Sequence, residues 1–489
     1  MGVVLSQSIK NTIANYLGIV VGAINVLFLF TNFLSDAYFG LITFIFSTAY
    51  IMMPLMAFGT QNTIIKYYSN YKTRQSQNSF LTLMLFLPLV IIIPFGLIGY
   101  LAFDFISNAL SIKNPIIKDY VWLIYISAIA FAYFEVFYAW SRVQLQSVFG
   151  NFMKELFHRI CTTILLIGLY LGYLTPHQLV HSIVGVYLVR VIVMKLYAFS
   201  LRQPVIKFAK FPEIRAVLKY TSLIIIAGSV AGIILEIDKF MLGFYVAIEE
   251  VAYYGVAIYM ASVIGVPSRA MQQITSPLTA ELLNDKNKVE LDTLYKRSSL
   301  TLFIIGGFIF LLIVLNIHEL YVLLPEKYST GLFIVILIGV SELTNNLLGN
   351  NNDILFNSNY YRIILLLGVV LVIMTAVLNM VFIPMYGANG AALATFIAIF
   401  IYNMSKLLFV YYAFRMMPFT SYTLKTVLLI IFCMIVFYFW DFPFHSLINI
   451  ALKSILLTAF YGYVIYKYRF SEDISAVIDG VLNRFFKVS

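Results

Sequence analysis

Charged side chains are scarce in this chain of 489 residues, since only 11% of them are Asp, Glu, Lys or Arg. A soluble domain carries roughly 25% charged residues, so the chain is not built from ordinary soluble domains. Its longest polar interval, from Arg269 to Ser299, is too short to form a separate catalytic domain. Any function must therefore be built from apolar segments and from the lumen between them.

Cysteine is almost absent, and the residue patterns of common enzymes are missing. Cys161 and Cys433 lie far apart, each inside an apolar segment, which indicates neither a disulfide framework nor a thiolate metal site. His177 and His181 are four residues apart but have no third ligand nearby, so they are a weak metal indication. No Walker loop and no serine, histidine and acid arrangement is visible. We therefore expect no catalytic residues, no metal and no cofactor.

The chain is rich in long apolar stretches, with 62% hydrophobic residues and a mean hydropathy of +0.92. A helix needs about 20 apolar residues to cross a hydrocarbon core roughly 30 Å thick. The pattern predicts an all-α polytopic membrane protein with fourteen transmembrane helices. The predicted spans are 11–33, 38–60, 80–103, 120–141, 155–173, 179–200, 217–236, 251–275, 300–316, 331–349, 363–382, 390–412, 424–440 and 447–466.

Basic residues alternate between the loops, and such residues mark the cytoplasmic side of a membrane protein. The basic loops follow the even-numbered spans, which places both termini in the cytoplasm. The net charge of +10 is then attracted by anionic lipid headgroups, and no nucleic acid is needed to explain it. The basic residues that follow the second, fourth and sixth spans are Lys66, Lys72, Arg74, Arg142, Lys154, Arg159, Arg202, Lys207, Lys210, Arg215 and Lys219.

The tail after the last span, residues 471–489, has apolar residues at helical spacing, with acids first and bases last. Ser471 is positioned to cap this helix. We expect the tail to lie on the cytoplasmic membrane surface. The alternative is a helix that packs against the rest of the protein.

A short repeat suggests that the chain contains two related halves. The sequence SDAYFG ends at Gly40 and VAYYG ends at Gly255, and a proline follows each copy, at Pro54 and at Pro267. Six predicted spans separate the copies. A parallel repeat of six-helix halves, with the substrate site between them, would explain this spacing.

Two longer motifs strengthen this interpretation: IPMYGANGAALAT (Ile383 to Thr395) and EIDKFMLGFY (Glu236 to Tyr245), together with Pro277 late in the eighth span. With them the chain resembles the multidrug/oligosaccharidyl-lipid/polysaccharide (MOP) flippase superfamily, and within it the polysaccharide transport family. The resemblance implies two six-helix lobes in a V-shaped, alternating-access arrangement, followed by two C-terminal helices. The expected parts are an N-lobe (1–200), a basic cytoplasmic linker (201–219), a C-lobe (220–412), two further helices (413–470) and the tail helix (471–489).

Charged residues inside the spans are the first candidates for a site, because a charge at the bilayer centre costs about 2.5 to 3.5 kcal/mol on insertion scales. Arg190 lies in the middle of the sixth span, with Lys195 on the same helix. We expect Arg190 to bind a lipid-linked pyrophosphate from the lumen. A structural pair with Glu135 of the fourth span is the alternative. Lys406 lies deep in the twelfth span and is a further candidate cation.

Uncharged and acidic residues complete the candidate set. A polar stripe on the eighth helix includes Arg269, Gln272 and Gln273 and is expected to line the lumen, with hydrogen bonding between helices as the alternative. The amides of the first helix are candidates for binding sugar hydroxyls, although its small residues favour packing. Asp238 and Lys239 are adjacent, so we expect either a gating role or an interfacial ion pair. The remaining candidate ligands are Asn15, Asn25, Glu342 and Asn345.

These residues and the resemblance predict a transporter that moves undecaprenyl-pyrophosphate-linked oligosaccharide, an O-antigen or exopolysaccharide repeat unit, across the bacterial cytoplasmic membrane. Its expected partners are this substrate, membrane lipids and the polysaccharide polymerase machinery, and a proton or sodium gradient is a candidate for coupling. One alternative is a multidrug antiporter of the same superfamily, although residues 9–34 contain no acid. Another is a membrane-embedded glycosyltransferase or ligase, which would need a large extramembrane loop. Lipid II transport is less expected. The lipid II flippases of the superfamily have an arginine early in the eighth helix, whereas this chain reads YYGVAIYM there.

Overall fold

The structure, a computed structural model, describes residues 2–205 and 214–486. Every regular element in these residues is helical, as expected of a chain that crosses lipid, where each backbone N–H and C=O must be paired within its own segment. Part of the basic linker, including Lys207 and Lys210, lies outside the described residues, as do the last three residues of the tail.

Fourteen longer helices follow one another along the described residues. The first, α1, comprises Gly2–Ala23, a π-helical turn at Ile24–Leu29 and Phe30–Phe33. The fifth, α5, comprises Val148–Phe152, a π-helical turn at Met153–Phe157 and His158–Tyr170. The others are α2 (Asp36–Met56), α3 (Arg74–Leu101), α4 (Pro115–Arg142), α6 (Pro176–Leu201), α7 (Ile214–Tyr245), α8 (Ile248–Asn284), α9 (Lys288–Leu315), α10 (Glu326–Leu347), α11 (Tyr361–Phe414), α12 (Ser421–Tyr438), α13 (Ser446–Lys467) and α14 (Glu472–Phe486).

All fourteen predicted spans fall on these helices, and eleven helical segments of the described chain are long and apolar enough to cross a membrane. One of the eleven, α11, contains two predicted spans. At 1.5 Å per residue its 54 residues would extend about 80 Å, more than twice the thickness of a hydrocarbon core. Gly387 divides it with a φ of 57° and a ψ of −136°, a conformation that essentially only glycine adopts. The exact number of spans remains a prediction.

The chain forms two compact units. Unit 1 contains residues 1–255 and 379–388, and unit 2 contains residues 256–378 and 389–489. In unit 1, Trp140 of α4 packs in a core with Phe80 of α3 and Met194 of α6. In unit 2, α9 packs against α12 and α13 around Leu311 and Cys433. These cores hold α3, α4 and α6 together in unit 1 and α9, α12 and α13 together in unit 2, while the predicted lobe boundaries remain a prediction.

The fifth helix begins at Val148, before its predicted span, and two basic residues assigned to the preceding loop lie on this helix. Lys154 and Arg159 were placed in a cytoplasmic loop, but both lie on α5 and are partly buried. The helix extends to Val148 because α1 packs against it, with the Asn151 amide donating to the Asn15 side chain at 2.8 Å. Interhelical hydrogen bonds of this kind offset the polar character of the segment.

The tail is helical, as predicted. The Ser471 hydroxyl accepts a hydrogen bond from the backbone N–H of Ile474 at 3.4 Å, which confirms the predicted cap. Its first turn contacts α9, since Glu472 pairs with Arg297 and Ser471 contacts Thr301 at 3.2 Å. The start of α14 is therefore attached to unit 2, while its place on the membrane surface remains a prediction.

The topology can be tested with single cysteines in a variant that lacks Cys161 and Cys433. We expect Lys72→Cys and Asp285→Cys to react with an impermeant maleimide only from the cytoplasm, and Lys113→Cys, Ala247→Cys and Pro443→Cys only from outside. All five positions are exposed, so burial does not block labelling. The reason is the alternation of basic loops. Labelling of two consecutive loops from the same side would contradict the fourteen-span arrangement.

Candidate functional site

Arg190 lies in the middle of α6, and only 3% of it is exposed. Its guanidinium carbon is 4.0 Å from the ring centre of Phe134, 4.8 Å from that of Tyr187 and 5.8 Å from that of Phe131. The negative faces of aromatic rings attract a cation, and more strongly where water is excluded. Arg190 is therefore surrounded by rings from its own helix and from α4.

The alternative pairing of Arg190 with Glu135 is wrong. Glu135 accepts instead from the ammonium of Lys154 on α5, at 2.7 Å. Within residues 2–205 and 214–486, Arg190 forms no ion pair, and its Nε is buried without a hydrogen-bond partner. This cation is therefore left uncompensated by any acid in contact with it.

The start of α5 brings further polar groups to the same part of unit 1. His158 lies with its ring centre 5.3 Å from that of Tyr187, and its Nδ1 is buried without a hydrogen-bond partner. Arg159 is 3.9 Å from Glu155, and one of its terminal nitrogens is also buried and unpaired. We call Glu135, Lys154, Glu155, His158, Arg159, Tyr187 and Arg190 the Arg190 cluster. The sequence did not single out the cluster residues on α5 as a site. The available signal was their four-residue spacing, which places them on adjoining faces of one helix.

Lys195 does not belong to this cluster. Five residues of helix rotate by about 140° beyond a full turn, so Lys195 points away from the face of Arg190. It is exposed and lines a separate groove of about 580 Å³ between α3, α4 and α6. The prediction that Lys195 joins Arg190 at the substrate is therefore not supported by the geometry.

Asn15 and Asn25 of α1 form hydrogen bonds with α5. Asn25 is 2% exposed, and its amide donates to the carbonyl of Arg159 at 2.8 Å while its oxygen accepts from Thr163 at 2.7 Å. Asn15 accepts from Asn151. These contacts favour the packing alternative over sugar binding, and they hold α1 against the helix that carries Arg159.

The adjacent Asp238 and Lys239 do not form the predicted ion pair. Lys239 pairs with Glu236 one helical turn earlier, at 2.8 Å. Asp238 is 3% exposed and accepts from the Asn379 amide at 2.8 Å and from the Tyr254 hydroxyl. The carboxylate thus joins α7, α8 and α11 within unit 1, which leaves a gating role as a prediction.

Unit 2 contains two buried lysines, Lys453, which pairs with Asp441, and Lys406. Lys406 is 2% exposed, donates to the side-chain oxygen of Asn352 at 2.9 Å and lies 4.2 Å from the ring centre of Tyr402. No acid in the described part of unit 2 forms an ion pair with it. Like Arg190, it combines deep burial with an aromatic ring and the absence of a compensating carboxylate.

The polar residues of the α8 stripe have two different environments: some form hydrogen bonds with another helix and others are exposed. Gln272 donates to the Asp353 carboxylate at 3.3 Å, and Thr275 donates to it at 2.9 Å, so hydrogen bonding between helices accounts for this part of the stripe. Burial raises the pKa of the Asp353 carboxyl, while these hydrogen bonds act against the rise. Arg269 and Gln273 are exposed. Asp353 itself was not singled out from the sequence, because it follows a run of asparagines that resembles a loop.

Glu342 and Asn345 lie where α8 is interrupted. Residues Val263–Gly265 form a single 3₁₀ turn, and a Cβ on Gly265 would come within 2.5 Å of a Glu342 carboxylate oxygen. A side chain at position 265 would displace this carboxylate from the break. The Asn345 oxygen accepts from the amide of Asn403 at 2.8 Å, which joins α10 to α11. In the part of the chain that the structure describes, no group of three or more His, Cys, Asp or Glu residues could hold a metal ion.

Comparison with protein families identifies the chain. The sequence profile of the family described as "Polysaccharide biosynthesis protein" matches residues 7–267. The chain belongs to this family. The match includes the whole Arg190 cluster and the break in α8. No curated protein matches the sequence.

Solved structures show which fold this family member has. A lipid II flippase, MurJ, in an inward closed conformation, aligns with a TM-score of 0.69 and 16% identity, covering 95% of this chain and 99% of that one. An inward-facing multidrug resistance MATE family transporter of the MOP superfamily aligns with a TM-score of 0.59 and 13% identity, covering 84% and 94%. A MOP superfamily transporter from Pyrococcus furiosus aligns with a TM-score of 0.56 and 12% identity, covering 84% and 95%. This member of the polysaccharide biosynthesis family is thus a multi-pass membrane protein with the fold of MOP transporters.

Proposed function

We propose that this protein is a flippase that moves undecaprenyl-pyrophosphate-linked oligosaccharide, an O-antigen or exopolysaccharide repeat unit, from the cytoplasmic to the outer leaflet of the bacterial cytoplasmic membrane. The observation that carries the proposal is Arg190, a buried cation that no acid of the described residues contacts and whose Nε is unpaired. Family membership and the MOP transporter fold support transport rather than catalysis.

An uncompensated buried charge destabilises the protein, because no partner offsets the free energy lost when its water is removed. Aromatic rings offset only part of this penalty. A bound pyrophosphate would offset the rest of the desolvation penalty, since a guanidinium presents parallel N–H donors that match phosphate oxygens in a bidentate arrangement. The unpaired terminal nitrogen of Arg159 would add a donor. Because Arg190 is buried, substrate binding requires the surrounding rings to move, as an alternating-access transporter allows.

The fold alone does not separate this function from multidrug transport, because a multidrug resistance transporter shares it. The charges separate them. Arg190 and Lys406 are buried, and no acid in the described part of the chain contacts either of them, which favours an anionic substrate over a cationic drug. The buried acids Asp238 and Asp353 accept hydrogen bonds from neutral groups and are the candidates for coupling to a proton or sodium gradient.

Deletion of the gene tests the proposal directly. We expect complete lipid-linked oligosaccharide to accumulate on the cytoplasmic leaflet, where periplasmic glycan-modifying probes cannot reach it, while the polymerase machinery lacks its substrate. Restoring the gene should remove the accumulation. Increased drug sensitivity without accumulation would instead identify a multidrug exporter. Accumulation of incomplete oligosaccharide would indicate a glycosyltransferase, and accumulation of completed glycan on the outer leaflet would indicate a ligase.

A further inference from the structure

The groove that contains Lys195 is a cavity of about 580 Å³ in unit 1, and it is distinct from the Arg190 cluster. Pockets of this size hold a drug-sized molecule. Its walls come from α3, α4 and α6, and its end comes from the segment after α6. Almost all the lining is apolar: Leu85, Phe86, Tyr133, Phe137, Val191 and Phe199.

The groove faces the lipid side of α6. Ile192 and Leu196, the neighbours of Val191 and Lys195 along this helix, are 55% and 64% exposed. Large apolar side chains so exposed in a membrane helix contact hydrocarbon. The groove is therefore open to the bilayer rather than to water.

The predicted cytoplasmic end of the groove is closed by hydrogen bonds. The backbone N–H of Val205 donates to the Thr82 hydroxyl at 3.0 Å, which fixes the segment after α6 against α3. The guanidinium of Arg202 donates to Asn78, to Tyr68 and to the carbonyl of Arg74. Three of the five N–H donors of Arg202 are thus already used at this end, and the groove is a built feature of the fold.

Lys195 is the charged group of this groove. Its ammonium lies 5.7 Å from the ring centre of Phe199 and forms no hydrogen bond or ion pair with any residue in the described ranges. It is six residues before the end of α6, roughly 9 Å along the helix. A lysine at this depth reaches toward the headgroup level with its stem against apolar surface.

We infer that the groove binds an anionic phospholipid of the cytoplasmic leaflet, with its phosphate at Lys195 and part of one acyl chain along Leu85, Phe137 and Val191. The charge of Lys195 complements a phosphate, and the apolar walls complement a hydrocarbon chain. The inference does not depend on the transported substrate, because the groove lies apart from the Arg190 cluster.

Lipid binding to the purified, delipidated full-length protein tests this inference. Native mass spectrometry would follow titration with phosphatidylglycerol and with phosphatidylcholine of the same chains. We expect the wild-type protein to prefer phosphatidylglycerol, and Lys195→Gln to lower that affinity about fivefold, since one lysine near an anionic surface contributes about that much. Val191→Trp should fill the groove and lower binding of both lipids.

Two matched controls make the result specific. Lys425 is also exposed at the predicted cytoplasmic end of a helix, with a ring centre 4.6 Å away, but it does not line this groove, so Lys425→Gln should bind lipid like the wild type. Ile192→Trp is the control for Val191→Trp, and it should also bind lipid like the wild type. Equal losses in Lys195→Gln and Lys425→Gln would overturn the inference in favour of general surface attraction. Displacement of phosphatidylglycerol by undecaprenyl pyrophosphate at equal mole fraction would also overturn it, because the groove would then take a substrate-type lipid.

Discussion

Replacing Arg190 by methionine is expected to abolish export of lipid-linked oligosaccharide while leaving the protein as stable as the wild type or more stable. Methionine is flexible and apolar, so it keeps contact with Phe134 and Tyr187 and removes a buried charge that no acid compensates. A purely structural arginine would behave in the opposite way. The measurements are complementation of the gene deletion and the thermal unfolding midpoint of the purified variant.

Two further substitutions define the role of this charge. Arg190→Lys should retain part of the export, because a point charge survives although the bidentate phosphate geometry is lost. Arg142→Ala is the matched control, since Arg142 also lies beside a ring, at 5.6 Å from the centre of Tyr138, but is exposed at the end of α4. It should export normally. Full export by Arg190→Met, or export restored to Arg190→Met by removing Glu135, would contradict the proposed role of Arg190.

The helices of this protein were predictable because hydropathy acts on each segment by itself. Every predicted span coincides with a helix, and even the division of α11 at Gly387 was implied by two separate apolar stretches. Helix ends were less predictable. The extension of α5 to Val148 depends on contacts with α1, so the rule that assigns basic residues to loops misplaced Lys154.

Partners inside the fold were the least predictable feature. Burial of Arg190 and Lys406 followed from their positions in apolar runs, and the structure confirms it. The pairing of Glu135 with Lys154 could not be predicted from the sequence. The two residues lie on different helices, and the local sequence does not say how those helices are aligned with each other. The separation of Lys195 from Arg190 is different. Helical geometry alone places residues five apart on different faces, so this error was avoidable.

Lys406 should be as important for export as Arg190, and its one polar partner among the described residues, Asn352, provides a sharp test. Lys406→Met should reduce export at least tenfold with little loss of stability, because an uncompensated buried cation is replaced by an apolar side chain of similar length. Asn352→Leu should instead destabilise the protein by about 1 to 3 kcal/mol, since the ammonium loses its one hydrogen-bond acceptor while remaining buried. Combining the two should recover most of that stability but not export. Lys425→Met is the exposed control and should leave both quantities unchanged. Normal export by a stable Lys406→Met protein would show that this cation is structural.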